Sequence, residues 1–255
     1  MHDTIDRPSY EPAPADEHGS PGPSPHLTAA QRLWTVFTSP TRVFSDIAIK
    51  PSWVLCLVLM VLLAVAVQFV VLPHLDNEAT LRERLGERAD GVSDEQIEKM
   101  VEQGEKFTRF APIIGLVVSP IAFAIMAAIF FILLKIVGSD IDYLRAFSTT
   151  LHAYWPPSLV ASVLTAALIQ RVDKIPQQEF TNIVKSHPGA FLSADAPAWL
   201  SAAASTVSVF NIWIAVLLII GFRVVGKIST GKAVVAALVP WLVWLVAKAG
   251  LAAIF

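Results

Sequence analysis

Five apolar stretches, residues 53–72, 113–137, 147–169, 207–225 and 233–255, take up almost half of the chain. Each is about as long as a bilayer is thick. A hydrocarbon core of ~30 Å is crossed by roughly 20 apolar residues at ~1.5 Å rise per residue. The predicted fold class is therefore all-α: a polytopic membrane protein whose bundle of five transmembrane helices follows an interfacial, amphipathic N-terminal segment. The predicted divisions are a tail over 1–26, amphipathic helices over 27–52 and a membrane domain over 53–255.

Composition supports this reading. Hydrophobic residues make up 55% of the chain and charged residues 16%, where a soluble domain carries about 25% charged residues. The formal net charge of −2 gives no reason to expect a nucleic-acid partner. Cys56 is the only cysteine, so no intrachain disulfide can form. Inside an apolar run it reads as a small core residue, with palmitoylation as the alternative.

Residues 1–26 hold six prolines and five acids. Such a segment buries too little apolar surface to fold, and it reads as a disordered leader or as a docking tail for a soluble partner. No basic patch runs directly into an apolar core there, so no cleavable signal is expected, and the first span serves as an uncleaved insertion signal.

From Leu27 the pattern becomes amphipathic. Thr28 is a plausible N-cap, with Leu27, Ala30, Leu33, Trp34 and Phe37 on one face. Ser39 and Pro40 then restart a helix at its cap and first position, and Val43, Phe44 and Ile47 form its apolar face. Arg32, Arg42 and Lys50 lie between the apolar residues. Two placements stay open: in the lipid interface, or packed on the ends of the spanning helices.

The loop 73–109 holds ten acids against six bases. Its second half reads as a helix capped by Ser93 and Gln96, with Ile97, Met100, Val101 and Phe107 on one face, running on into the second span. A loop over 170–206 precedes the fourth span.

Lys and Arg counts alone do not orient the chain: eight fall on the side of the N-terminal segment and nine on the other. The positive-inside rule weighs short loops most heavily. The turn 223–232 carries Arg223, Lys227 and Lys232 and no acid, whereas the opposite loops are long and acidic. The expected orientation is N-terminus cytoplasmic and C-terminus outside, in a cell membrane of bacterial inner-membrane type.

The candidate functional groups are the polar ones inside the spans. The third span is the most polar and carries His152, Tyr154 and the pair Pro156 and Pro157. Intramembrane ionisable groups are functional candidates by default. A neutral His152 bonded to a neighbouring helix is the competing reading. Gln68 and Asn211 read as amides that join helices, and Lys248 as a side chain snorkelling towards the outer interface. Prolines at 120, 156, 157 and 240 kink helices or break them as transporters do.

His74, Asp76 and Glu78 lie close together but at no rigid metal-binding spacing. The motifs G-x-S-x-G, H-E-x-x-H and G-x-x-x-x-G-K-[ST] do not occur. Neither a cofactor nor a catalytic constellation is expected.

Three places carry a family resemblance over about 28–248. The first is Ser39-Pro40-x-x-Val43-Phe44-x-x-Ile47 followed by Pro51-x-Trp53. The second is Gly138, then Tyr143 to Leu151 and His152-Ala-Tyr154-Trp155-Pro156. The third is Phe210-x-x-Trp213, Gly221 and then Ser229-x-Gly231-Lys232-Ala233. In this order and spacing the chain resembles the Yip family of five-span membrane proteins (Ypt/Rab-interacting proteins and their bacterial relatives), and it looks like a bacterial-type member. The resemblance implies a cytoplasmic N-terminus and a membrane-buried body. Eukaryotic relatives help vesicle traffic and bind small prenylated GTPases; no surface in this sequence matches that activity.

The expected role is that of a non-enzymatic adaptor, scaffold or membrane-organising protein. Its partners are the lipid bilayer, other membrane or peripheral proteins, and a second copy of itself in a homo-oligomer. The alternative is a small oligomeric transporter or channel using the third span.

Overall fold

The computed structural model describes residues 26–86, 91–193 and 195–254, apart from the side chains of Phe107 and Thr181. The tail before His26 and the final Phe255 lie outside the described residues, as does any test of the tail's expected disorder. Among the described residues, the regular structure is helical: α1 Ala29–Thr38, α2 Pro40–Ile49, α3 Val54–Val71, α4 Asn77–Leu85, α5 Asp94–Thr108, α6 Ala111–Ile136, α7 Tyr143–Ile169, α8 Ala198–Thr206, α9 Val209–Val225 and α10 Thr230–Ile254. The isolated pairing of Leu75 with Ile175 is a bridge between loops and belongs to no sheet.

Local chemistry sets several of these boundaries. At α1 the Thr28 hydroxyl accepts from the Gln31 amide while the Gln31 side chain accepts from the Thr28 amide, a reciprocal capping box. Pro40 opens α2, with its fixed φ already helical and no N–H to satisfy. Ser39 precedes it in position, but its hydroxyl makes no capping bond. Ser93 and Gln96 cap α5 reciprocally.

Each apolar stretch is a helix, but the helices are not equally apolar. α3, α6 and α10 are each long and apolar enough to cross a membrane, and α8 with α9, bent by 47° at Val207 and Ser208, adds a fourth if the pair is one span. α7 is as long but carries more polar residues. Its position accounts for that composition. α7 packs against α1, α2, α3, α6 and α9, and its buried residues run from Ala146 through Pro157. A helix that meets protein on most sides needs no lipid-grade surface. By contrast, little of α6 is buried, and Ile113, Val117, Ile121, Ile125 and Ile132 are exposed.

Other expectations are corrected by the structure. α7 begins at Tyr143, ahead of the apolar stretch, because the Asp142 carboxylate caps it by accepting from the Arg145 amide at 2.9 Å. It continues as one helix through Pro156 and Pro157. α5 does not run on into α6; Arg109 and Phe110 separate them. The two long loops contain α4 and α8, which the apolar pattern does not predict.

The core joins α1, α2, α3, α6, α7, α9 and α10, with Phe44, Leu134, Leu151 and Phe222 fully buried. Cys56, 2% exposed, is part of it. α7 and α9 approach closely at Gly221, where an added Cβ would lie 2.5 Å from the Thr149 Cγ2.

Candidate functional site

The lone carboxylate of the N-terminal segment organises one end of the bundle. Asp46 is the only acidic residue between Leu27 and Leu75, and it sits among the buried residues of α2 beside Val43, Phe44 and Ile47. Burying a carboxylate is costly unless it is paired and hydrogen-bonded. Here the Arg32 Nε donates to Oδ2 at 2.7 Å, the Leu27 amide donates to the same oxygen at 3.2 Å, and the His26 ring lies 2.7 Å from Oδ1. Burial raises the Asp46 pKa, but the bonds from His26 and Arg32 and their charge outweigh it and hold the carboxyl below its ordinary value.

Arg32 is therefore not on the polar side of α1. It is 2% exposed, and its Nη1 donates to the Lys50 carbonyl at 2.8 Å and to the Ser52 hydroxyl. Trp34, expected on the apolar face, is 67% exposed instead. The buried face of α1 is Arg32, Leu33 and Val36. The guanidinium joins α1 to α2 and to the segment that precedes α3. His26 belongs to this folded end rather than to the tail.

α7 holds the pair in place. The Trp155 Nε1 donates to the Leu33 carbonyl at 3.1 Å, the Ser148 hydroxyl to the Ser52 carbonyl at 2.9 Å, and the Arg145 Nε to the Ala48 carbonyl at 2.8 Å. Each bond runs from α7 to backbone of the N-terminal segment. Phe44 fills the space left by Gly221, and Phe37 meets Trp213 edge-on with centroids 6.2 Å apart. Phe44 with Gly221 and Phe37 with Trp213 thus join the N-terminal pair to α9, while Pro40 opens α2.

The remaining pattern residues lie in the two short connections. Gly138 turns the chain out of α6 at φ +84°, a left-handed conformation that side chains rarely adopt. The Ser139 hydroxyl beside it donates to the Gly226 carbonyl at 2.8 Å, tying the α6–α7 link to the α9–α10 turn. The Lys232 Nζ lies 3.5 Å from where a Gly138 Cβ would stand. Gly231 faces open space. Exposed charges on these segments are mainly basic: Arg42, Lys50, Lys135, Arg223, Lys227 and Lys232, against Asp140 and Asp142. Burial raises the Asp142 carboxyl, but hydrogen bonds from the Arg145 backbone and side chain bring it below its usual value.

The intramembrane candidates divide into three places. His152 is buried at the N-terminal pair, and its Nδ1–H donates to the Ser148 carbonyl of its own helix at 2.8 Å. That replaces the expected bond to a neighbouring helix. Pro156 and Pro157 are buried one turn further along α7. Gln68 packs its amide on Gly115, so α3 and α6 meet there. Tyr154 and Asn211 line a different cavity. The Asn211 Nδ2 donates to the Thr206 carbonyl at 2.8 Å and bridges the α8–α9 bend.

Among the described residues no group of three His, Cys, Asp or Glu side chains could hold a metal. His74 donates to the Val172 carbonyl at 2.8 Å, Asp76 caps α4 and Glu78 pairs with Arg82.

The missed members of the site are Asp46 and its partner Arg32. A lone acid in a long acid-free segment, placed among apolar residues of a short helix, is the sequence signal that points to a buried ion pair.

No curated protein and no solved structure matches the chain. A family model for the Yip1 domain matches residues 34–251, which takes in the N-terminal pair from Trp34 onward, all the long helices and both short connections. The chain belongs to the Yip1 domain family.

Proposed function

We propose that this member of the family is a non-enzymatic adaptor or membrane-organising protein, with five crossings of a bacterial-type cell membrane and a cytoplasmic N-terminus. α7 is the central crossing in this reading, shielded from lipid by its neighbours. The α1–α2 pair and the two short connections form the cytoplasmic working surface.

One observation carries the reading. The N-terminal pair is locked to α7 by three side-chain-to-backbone bonds and centred on a buried ion pair, so it presents a fixed outer surface. That surface is basic, with Trp34 and Ile49 exposed beside the charges. Basic and aromatic groups on a rigid support suit anionic lipid headgroups and acidic peripheral proteins. The short, basic connections agree with a cytoplasmic placement.

Affinity capture from cross-linked membranes, with quantitative identification of partners, tests this. The full chain should recover peripheral proteins that an Arg42→Glu, Lys227→Glu variant loses while it still folds. Recovery of no partner above background would count against the adaptor role. The transporter or channel alternative draws on the polar residues of α7, several of which are packed inside the bundle end. A flux through reconstituted vesicles, lost in folded His152→Ala, would favour it.

A further inference from the structure

A second feature lies away from the N-terminal pair, on the other half of the bundle. α6, α8, α9 and α10 surround a cavity of about 680 Å³. Its wall is mostly apolar, with polar groups from Tyr154, Ser205, Thr206, Asn211 and Lys248. Such a volume and such a wall suit a small amphiphile.

Lys248 is the single charged side chain on the wall, and it does not snorkel away. Its ammonium turns inward and donates to the Ser205 hydroxyl at 2.8 Å, and Ser205 donates in turn to the Ala202 carbonyl at 2.9 Å. Among the described residues no carboxylate pairs with Lys248. Trp241 also lines the cavity. A cation with donor capacity to spare thus sits in an apolar chamber.

The chamber opens sideways. Ile125, Ile129 and Trp244 line it and are 57%, 46% and 63% exposed on the outer faces of α6 and α10. A second, wholly apolar crevice of about 390 Å³ shares Ile129, Pro240 and Trp244 with it and continues between α6 and α10 towards Leu133 and Val239. Along α6 the two together run from Ala122 to Leu133, about 16 Å of helix at ~1.5 Å per residue. The polar chamber is at one end and the apolar slot at the other.

We propose that this cavity is a binding site for an anionic glycerophospholipid from the surrounding bilayer, its phosphate at Lys248 and one acyl chain in the α6–α10 crevice. Charge complementarity selects the headgroup: a phosphate supplies the negative charge that the Lys248 ammonium lacks among its partners. The lateral opening lets the ligand enter from the membrane. The site goes beyond the adaptor reading and stands without it, since no residue of the N-terminal pair lines it.

The test uses the full chain in mild non-ionic detergent, with native mass spectrometry during titration with palmitoyl-oleoyl phosphatidylglycerol or phosphatidylcholine. One phosphatidylglycerol should be retained per chain, with a preference over phosphatidylcholine of about tenfold. Lys248→Met should abolish the preference, and Lys248→Arg should keep it. Ile129→Trp, which narrows the slot, should weaken both lipids alike, and Lys99→Met on the exposed face of α5 should change neither. Thermal melting of each variant separates loss of the site from loss of the fold. Equal retention of the two lipids, an undiminished preference in folded Lys248→Met, or equal occupancy by oleate would overturn the proposal.

Discussion

The two ends of the bundle are closed in different ways. At one end, short helices are fastened by particular side chains: Arg32 on Asp46, Trp155 on the Leu33 carbonyl and Phe44 against Gly221. At the other, two long loops are fastened by a reciprocal backbone pairing together with more exposed side chains, Arg84 on Gln177 among them. The Asp76 amide donates to the Ile175 carbonyl at 2.8 Å and the Ile175 amide to the His74 carbonyl at 3.0 Å. The His74 ring reaches the Val172 carbonyl, and the Thr80 hydroxyl accepts from the Gln177 amide. The ion pairs near the loop end, such as Arg82 with Glu78 and with Asp94, are exposed. Exposed pairs contribute little, and backbone pairing tolerates exchange of side chains. The first end should therefore be intolerant of substitution and open only with the bundle, whereas the second should open locally at lower cost.

The sharpest way to break this contrast is to remove one member of the buried pair. Asp46→Ala leaves an uncompensated guanidinium in the interior and should cost about 3–5 kcal/mol of stability in detergent-solubilised protein. The Arg32→Met, Asp46→Leu double variant removes both charges and should recover most of that loss. A single variant that unfolds like the parent chain would mean that the pair is accessory and that the ends differ less than their bonds suggest.

Next in size is Gly221→Val. Its Cβ would lie 2.5 Å from the Thr149 Cγ2 and 3.1 Å from the Phe44 ring. Overpacking of this kind typically costs about 1–3 kcal/mol. It should also loosen α2 from α9, visible as faster proteolysis between α2 and α3. Unchanged melting would show that α7 and α9 separate freely, against the rigid end.

The pH dependence is smaller and has a definite sign. The Asp46 pKa is lowered on folding from 3.8. A depressed carboxylate contributes stability that is fully present above its unfolded value and is lost as pH falls through the folded one. Stability from this group should be flat above about pH 5 and should fall below about pH 4. Asp46→Asn should lack that acid slope. An identical slope in the variant would assign acid sensitivity to the loop end, whose carboxylates are more numerous.

Much of the architecture is legible in the chain because apolar length and capping are local properties. The five long helices, the Thr28, Pro40 and Ser93 starts and the buried face of α2 follow from residues within a few positions of each other. What escaped depends on distant partners. Arg32 reads as interfacial until Asp46 is known to face it, and the partner stands fourteen positions away. Trp34 reads as buried until Arg32 is placed on the buried face of α1. α4 has no apolar stripe to reveal it; it is held by the Asp76 cap and by the 173–177 segment across the loop pairing. The same limit applies to the cavity. Lys248 and Ser205 are 43 residues apart, and the bend between α8 and α9 brings them together.

The smallest expected effect falls at the loop end and tests the contrast from the other side. His74→Ala removes a side-chain bond to the Val172 carbonyl at 2.8 Å but leaves the reciprocal backbone pair of Leu75 and Ile175 in place. The lost bond is worth about 1 kcal/mol, because part of it exchanges for a bond to water at this surface. The variant should melt within a few degrees of the parent chain, while amide exchange at Asp76 and Ile175 quickens and exchange in the core of α7 does not. That pattern would show the loops opening as a unit separate from the bundle. If His74→Ala instead destabilises as strongly as Asp46→Ala and speeds exchange throughout α7, the two ends are one cooperative unit, and the division between side-chain and backbone closure has no energetic meaning.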